Sequence, residues 1–216
     1  MQGTVLSIRD IIVKMENIEI EIKFHLENPG ATRTAIMALG AISLGRFFET
    51  NHILDNRGQT FFHNNSLLRL RQADRACLTF KAPPSAPDRE FKIREELEVE
   101  VADFATARKI MQKLGFATVR IYEKWRETLK LGDTHFCIDA LPYGDFLEIE
   151  GTADNIPPLS EKLGFAWEHR SLLNYHELFE LVKTEHLLPF ADITFSNFEG
   201  ISVDMRKLRS RFEAGF

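Results

Sequence analysis

Along much of this chain apolar and polar residues alternate with a period of two, the pattern of strands that have two unlike faces. Ile18, Ile20, Ile22 and Phe24 fall on one side of the first such stretch, with Glu19, Glu21 and Lys23 on the other. Leu44 to Asp55 is predicted as a second strand, ending at the Asn56-Arg57-Gly58 turn. Leu67 to Gln72 sets Leu68 and Leu70 against Arg69 and Arg71, and Cys77 to Lys81 sets Leu78 and Phe80 against Cys77, Thr79 and Lys81. In Phe91 to Val101, Arg94, Glu96, Glu98 and Glu100 oppose Ile93, Leu97, Val99 and Val101, with Glu95 breaking the pattern. Thr118 to Leu131 carries Lys124 and Arg126 opposite Ile121, Trp125 and Leu129. Thr134 to Ala140 and Asp145 to Glu150 form a predicted hairpin that carries Asp139, Glu148 and Glu150.

Between the strands the period changes to that of helices. Thr32 to Leu39, Phe104 to Leu114, Asp154 to Leu163 and Ser171 to Thr184 are predicted helices, the second capped by Asp103 and the third with Pro157 and Pro158 in its first turn. Gly40, Gly115 and Gly164 follow three of them as stop residues. Gln59 to Ser66 reads as a short helix or loop, and Pro83 to Asp88 as a surface loop. Glu185 to Phe216 holds a short candidate strand at Ala191 to Phe195 and a basic helix candidate at Ser202 to Phe212, most economically a packing or solvated helix. The chain divides into an extension at 1–14, a domain at 15–184 and a second extension at 185–216.

Composition narrows the function classes. With 216 residues and 44% hydrophobic content there is material for one sizeable domain, with an aromatic-rich core supplied by 18 Phe. A net charge of −5 argues against a general nucleic-acid binder, although 27 Lys and Arg leave room for a local basic site. Cys77 and Cys137 have no metal-ligand spacing and read as buried free thiols, which fits a reducing, cytoplasmic location. No apolar run approaches the ~20 residues of a membrane span, and the N-terminal segment has only a short Ile11-Ile12-Val13 cluster and carries Arg9 and Asp10, so neither an anchor nor a signal peptide is expected.

A solvent-facing sheet would account for any one of the charged faces. Taken together they are almost wholly carboxylate, guanidinium and ammonium, where a wet sheet mixes in Thr, Ser and Gln. Glu-x-Glu projects two carboxylates from one strand face, close enough for a hard divalent cation; Arg-x-Arg projects two anion-gripping forks. An α+β fold with a closed eight-stranded antiparallel β-barrel, charged faces inward and flanking helices outside, would turn these faces into a polar tunnel. Such a lumen needs metal, ligand and water to offset its buried charge.

The segment Glu19-Ile20-Glu21-Ile22-Lys23 resembles the ExExK signature of the CYTH superfamily, the triphosphate tunnel metalloenzymes. Further matching segments follow in order: Leu68 to Arg71, Leu78 to Lys81, Lys92 to Glu98, Tyr122 to Arg126, Cys137 to Asp139 and Phe146 to Glu150. The resemblance spans roughly residues 16–180 and is nearest to bacterial class IV adenylyl cyclase-like members. It departs from them at Asn51 to Asp55, which lacks the aromatic often found before that aspartate. It implies Mg²⁺ or Mn²⁺ at Glu19, Glu21, Glu98, Glu148 and Glu150, and catalytic roles for Glu19, Glu21, Asp139, Glu148 and Glu150. It implies triphosphate binding by Lys23, Arg69, Arg71, Lys81, Arg94, Lys124 and Arg126. The implied substrate is ATP, converted to cyclic AMP and pyrophosphate; the alternatives are hydrolysis of tripolyphosphate or thiamine triphosphate, and a non-catalytic polyphosphate-binding module. No nucleic-acid or membrane partner is expected, and a homodimer is allowed.

Overall fold

A computed structural model of the chain describes residues 17–84 and 88–214. The expected N-terminal extension, and residues 85–87 of the expected surface loop, lie outside the described residues. Eight strands form: β1 (Ile18–Leu26), β2 (Ile42–Asp55), β3 (Leu67–Gln72), β4 (Ala76–Ala82), β5 (Lys92–Val101), β6 (Ala117–Leu131), β7 (Thr134–Leu141) and β8 (Gly144–Glu150). They pair antiparallel in the order β1-β5-β4-β3-β2-β6-β7-β8, and the sheet closes in a ring because β8 pairs back onto β1. Closure leaves no unpaired edge, and each alternating sequence therefore presents one face to the ring interior and one to the outside.

The register places the charges. Glu21 of β1 lies opposite Lys92 of β5 on one side and Glu150 of β8 on the other, and Lys23 lies opposite Glu148. The longest pairing, β2 with β6, sets Glu49 opposite Lys124 and Phe47 opposite Arg126, with register shifts near Gly45 and Ile53. Gly45 has φ +115°, and a Cβ there would stand 2.7 Å from the Phe47 ring, so this irregularity needs glycine.

Helices cover the outer faces as their apolar stripes require. α1 (Pro29–Ala38) begins at Asn28, whose side chain accepts from the Ala31 N–H, and buries Ile36; α4 (Ile156–Lys162) buries Ile156. Both pack in a cluster with Ile22, Phe24, Phe136, Leu147 and Ile149, the outward positions of β1, β7 and β8. The short α2 (Thr60–His63) and α3 (Phe104–Lys113), capped by Asp103 as its sequence requires, cover Leu54, Leu68 and Leu70 through Phe61, Phe104 and Met111. Gly40, Gly115 and Gly164 take φ +93°, +93° and +81°, the left-handed closure expected of them.

α5 (Tyr175–His186) starts later than the sequence pattern suggests. Asn174 makes a capping box with Glu177, and Ser171 instead pairs with the backbone of Lys23. The region after α5 is neither strand nor regular helix. Its expected strand reduces to a parallel bridge between Ile193 and Tyr122, and its expected basic helix to a 3-10 turn at Met205–Leu208 followed by the single turn α6 (Arg209–Phe212). Leu188, Ile193, Phe198, Met205, Leu208 and Phe212 bury themselves with Phe179, Tyr143, Phe146 and Tyr122. Tyr122 and Phe146 share the alternation of Lys124 and Glu148, so this cluster fills one end of the ring interior. No helix among the described residues is long and apolar enough to cross a membrane.

Candidate active site in the ring lumen

The inward faces line a cavity of about 1620 Å³, larger than the ~300–1,000 Å³ of most small-molecule pockets. Its walls carry Glu19, Glu21, Lys23, Arg69, Arg71, Lys81, Arg94, Glu98, Lys124, Arg126, Glu148 and Glu150, all of them expected from the sequence. Asp139 stands behind this surface with no exposed area, in contact with Lys124 and Arg126. Lys23 and Lys124 are each 1% exposed, which a lysine tolerates only with close anionic partners.

Those partners divide the lumen into three groups. In the first, Lys81 donates to both oxygens of Glu19, at 2.7 and 2.5 Å, and lies 3.1 Å from Glu96; Lys92 donates to Glu21 at 2.5 Å. In the second, Lys23 donates to Glu148 at 2.5 Å, Arg126 bonds Glu148 and both oxygens of Asp139, and Lys124 donates to Asp139 at 2.9 Å. In the third, Arg71 donates to Glu98 at 3.1 Å, and Arg69 donates to the Tyr122 hydroxyl at 3.1 Å and to Thr79 at 3.3 Å.

The hydrogen-bond partners of four further charged residues place them more closely. Glu98 belongs with Arg71 and Thr79, not with the carboxylates of β1 and β8. Arg94 donates to the carbonyl and side-chain oxygens of Asn65, outside the three ionic groups. Asp139 accepts from Lys124, Arg126 and the Tyr175 hydroxyl, which makes it an anchor for two cations. Glu100 pairs with the exposed Arg75, near the rim.

Burial and charge then set the acids apart. Burial and the neighbouring Glu21 push the Glu19 carboxyl up to about 7 in spite of Lys81. Burial and Glu21 also push Glu150 up, and among the described residues Glu150 has no ion-pair partner. Burial alone would raise Glu21, but Lys92, with Lys23, holds it at about 2. Burial works against Glu148 too, yet Lys23 and Arg126 hold it well below the usual range.

Mg²⁺ or Mn²⁺ is implied by the family resemblance, and the donor set fits a hard cation. Glu19, Glu21 and Glu150 are oxygen donors on neighbouring strands, and burial together with the charge of Glu21 raises the affinity of its two neighbours for protons. A divalent cation relieves that crowding as a proton does. Among the described residues no three His, Cys, Asp or Glu side chains already converge on one point, because most of these acids are turned toward cations.

Four lumen residues escaped the sequence reading. Lys92 was legible, since it shares the alternation of Arg94 and Glu96. Glu49 was legible in the same way from β2; it lies 3.7 Å from both Arg71 and Lys124, and these cations, with Arg126, hold it at about 2 against burial. Tyr122 was visible only as a break in the Arg120, Lys124, Arg126 series. Tyr175 reaches the lumen from α5, and strand periodicity carries no signal for it.

Comparison with known proteins agrees with this architecture. The CYTH domain family matches residues 17–183. A Methanocaldococcus jannaschii protein that carries a provisional adenylate cyclase name is 31% identical over 141 residues, 64% of this chain and 79% of that protein. A solved structure from Vibrio parahaemolyticus, also provisionally named an adenylate cyclase, superposes with a TM-score of 0.67 at 16% identity, covering 76% of this chain and 98% of its own. A Hippeastrum protein of adenylyl cyclase name, described as revealing a dominant triphosphatase activity, superposes at 0.53 and 18% identity, covering 79% of this chain and 98% of its own. At those two identities the likeness speaks for the fold alone. Because the family match takes in all eight strands and most of α5, the chain belongs to the CYTH domain family.

Proposed function

We propose that the lumen is the reaction chamber of a divalent-metal-dependent enzyme acting on a triphosphate, and that its reaction is that of class IV adenylyl cyclases. In that reaction the ribose 3′-hydroxyl of ATP attacks the α-phosphorus, the bond to the bridging oxygen breaks, and pyrophosphate leaves with its electron pair. The observation that carries the reading is one cavity lined by Lys23, Lys81, Lys124 and Arg126 together with the carboxylates of β1 and β8. Glu19, Glu21 and Glu150, with Glu148 beside them, would hold the metal, which would supply positive charge for the phosphate oxygens and the leaving group.

The chain's own residues do the rest. Arg126, held by Asp139, presents a fork to phosphate oxygens, and Lys23 and Lys124 meet neighbouring oxygens as point charges. Asp139 keeps Lys124 and Arg126 aligned before substrate arrives, which reduces the reorganisation left for the reaction itself. The cavity has room beyond a triphosphate, and Ile53, Tyr122, Leu173 and Leu181 give part of it an apolar lining suited to a nucleoside. The cyclase name of the 31% identical relative supports the same choice.

Hydrolysis is the second reading, favoured by the activity described for the Hippeastrum protein. Water would then attack the terminal phosphorus and release orthophosphate. Incubation with Mn²⁺ and, separately, ATP, tripolyphosphate and thiamine triphosphate distinguishes the two. Cyclic AMP with pyrophosphate is the expected result; orthophosphate without a cyclic product selects hydrolysis. Tight binding without turnover would reject both and leave a polyphosphate-binding module.

A further inference from the structure

Tyr175, the first residue of α5, stands at the closed end of the lumen and touches charged side chains from three strands. Its hydroxyl donates to Asp139 Oδ2 at 2.6 Å. Lys23 Nζ lies 4.4 Å from its ring centroid, and Lys124 Nζ lies 5.0 Å from the same point. The residue itself is fixed from behind: its carbonyl accepts from the Tyr143 hydroxyl at 2.8 Å, and the Asn174–Glu177 capping box sets the start of the helix.

A core residue that merely sealed the ring would need only volume, and Phe or Leu would supply it. The phenol does two further things. Its ring offers the negative face of a quadrupole to two ammonium groups, both within 5.0 Å of its centroid. Its hydroxyl occupies an acceptor site on the carboxylate that also orients Lys124 and Arg126. Both contacts act on cations assigned to phosphate binding, and neither needs Tyr175 to touch the ligand.

We infer that Tyr175 is a positioning residue for the phosphate cage. Its ring sets where Lys23 and Lys124 stand above the closed end, and its hydroxyl, through Asp139, sets the direction of the Arg126 fork. The inference rests on the reading of the lumen as a triphosphate chamber.

Calorimetric titration of inorganic tripolyphosphate with Mn²⁺ tests it in the full chain, comparing wild type with Tyr175→Phe and Tyr175→Leu, each in native and Lys23→Met backgrounds. Tyr175→Phe, which keeps the ring, is expected to weaken binding about tenfold through the lost charge-assisted hydrogen bond. Tyr175→Leu is expected to cost roughly a further three- to tenfold. The loss from Tyr175→Leu should shrink in the Lys23→Met background, because part of it acts through that lysine. A sealing role predicts the opposite: lower melting temperatures, unchanged affinities and no coupling to Lys23. Affinities of Tyr175→Phe within about twofold of wild type would therefore overturn the inference, and that near-isosteric variant decides it should Tyr175→Leu fail to fold. Absence of tripolyphosphate binding by the wild-type chain would instead remove the chamber reading, and this inference with it.

Discussion

Glu21 carries the sharpest demands of any residue in the ring. It is 5% exposed, bonded to Lys92, flanked by Glu19 on its own strand and Glu150 on the next, and held at about 2 by the lysines around it. Replacing it with Gln keeps the shape and removes the charge that a cation needs. Glu21→Gln and Glu19→Ala are expected to lower turnover by at least about 100-fold, the scale of losing one preorganised electrostatic contact, with circular dichroism unchanged. Arg126→Ala and Lys81→Ala should act differently, weakening triphosphate affinity most, as read by titration of tripolyphosphate.

His176 gives a residue-scale prediction of another kind. Both of its ring nitrogens are buried without a hydrogen-bond partner among the described residues, and burial with Arg120 nearby lowers its pKa from 6.5 to about 4. The folded state therefore takes up its proton later than the unfolded chain as pH falls. The stability that His176 contributes is full above pH 6.5 and is lost between 6.5 and about 4, on the order of 3 kcal/mol at most, while Glu19, raised to about 7, works in the opposite direction over much of the same range. Glu49 extends the loss below pH 4.5, because its folded value lies near 2. Thermal unfolding at pH 7 and pH 5 isolates the histidine by difference: His176→Phe is expected to gain melting temperature relative to wild type at pH 5 over the difference seen at pH 7.

At the scale of elements, what was legible in the sequence followed from which residues face which solvent. Strands with one charged and one apolar face announce themselves through alternation, and β1, β3 and β8 carry it cleanly, β5 with a break at Glu95. β2 announces itself less well, since Phe47 and Phe48 occupy both faces, and Glu49 was lost with it. The start of α5 was misplaced because Leu172 and Leu173 continue the helical stripe upstream, while Asn174 and Glu177 supply the cap that fixes the true start. Asn174→Ala removes that box and is expected to cost about 1 kcal/mol, with a lower melting temperature as the readout. The chain beyond α5 has no period to read, because its apolar residues are anchors spaced by contact with the ring's end. Phe198→Ala should therefore destabilise by roughly 3–5 kcal/mol, measured by denaturant unfolding.

At the scale of the molecule the ring holds opposed charges in near balance. Glu19, Glu21, Glu148 and Asp139 answer Lys81, Lys92, Lys23, Lys124 and Arg126, each within 3 Å of a partner. Buried pairs of this kind contribute little net stability, since desolvation offsets their attraction. Asp139 stays in place as an anchor, and the others make sense as groups waiting to exchange partners: phosphate for the carboxylates on the cations, metal for the cations on the carboxylates. Either ligand alone must break pairs and leave one side uncompensated, so the two should bind with strong positive coupling. Tripolyphosphate affinity is expected to rise at least tenfold when Mn²⁺ is present, and the two together to raise the melting temperature more than the sum of each alone. The pattern of Glu19, Glu21 and Lys23 on one strand thus has its meaning only once the ring closes and β8 and β5 stand beside it.

The most direct measurement is ³¹P NMR of ATP incubated with the purified chain and Mn²⁺, alongside Glu21→Gln and a chelator control. The prediction is conversion to cyclic AMP and pyrophosphate by wild type, lost in Glu21→Gln and lost again when the metal is chelated. Unchanged ATP in the wild-type sample, or turnover that survives both Glu21→Gln and chelation, would contradict metal-dependent triphosphate chemistry in this lumen.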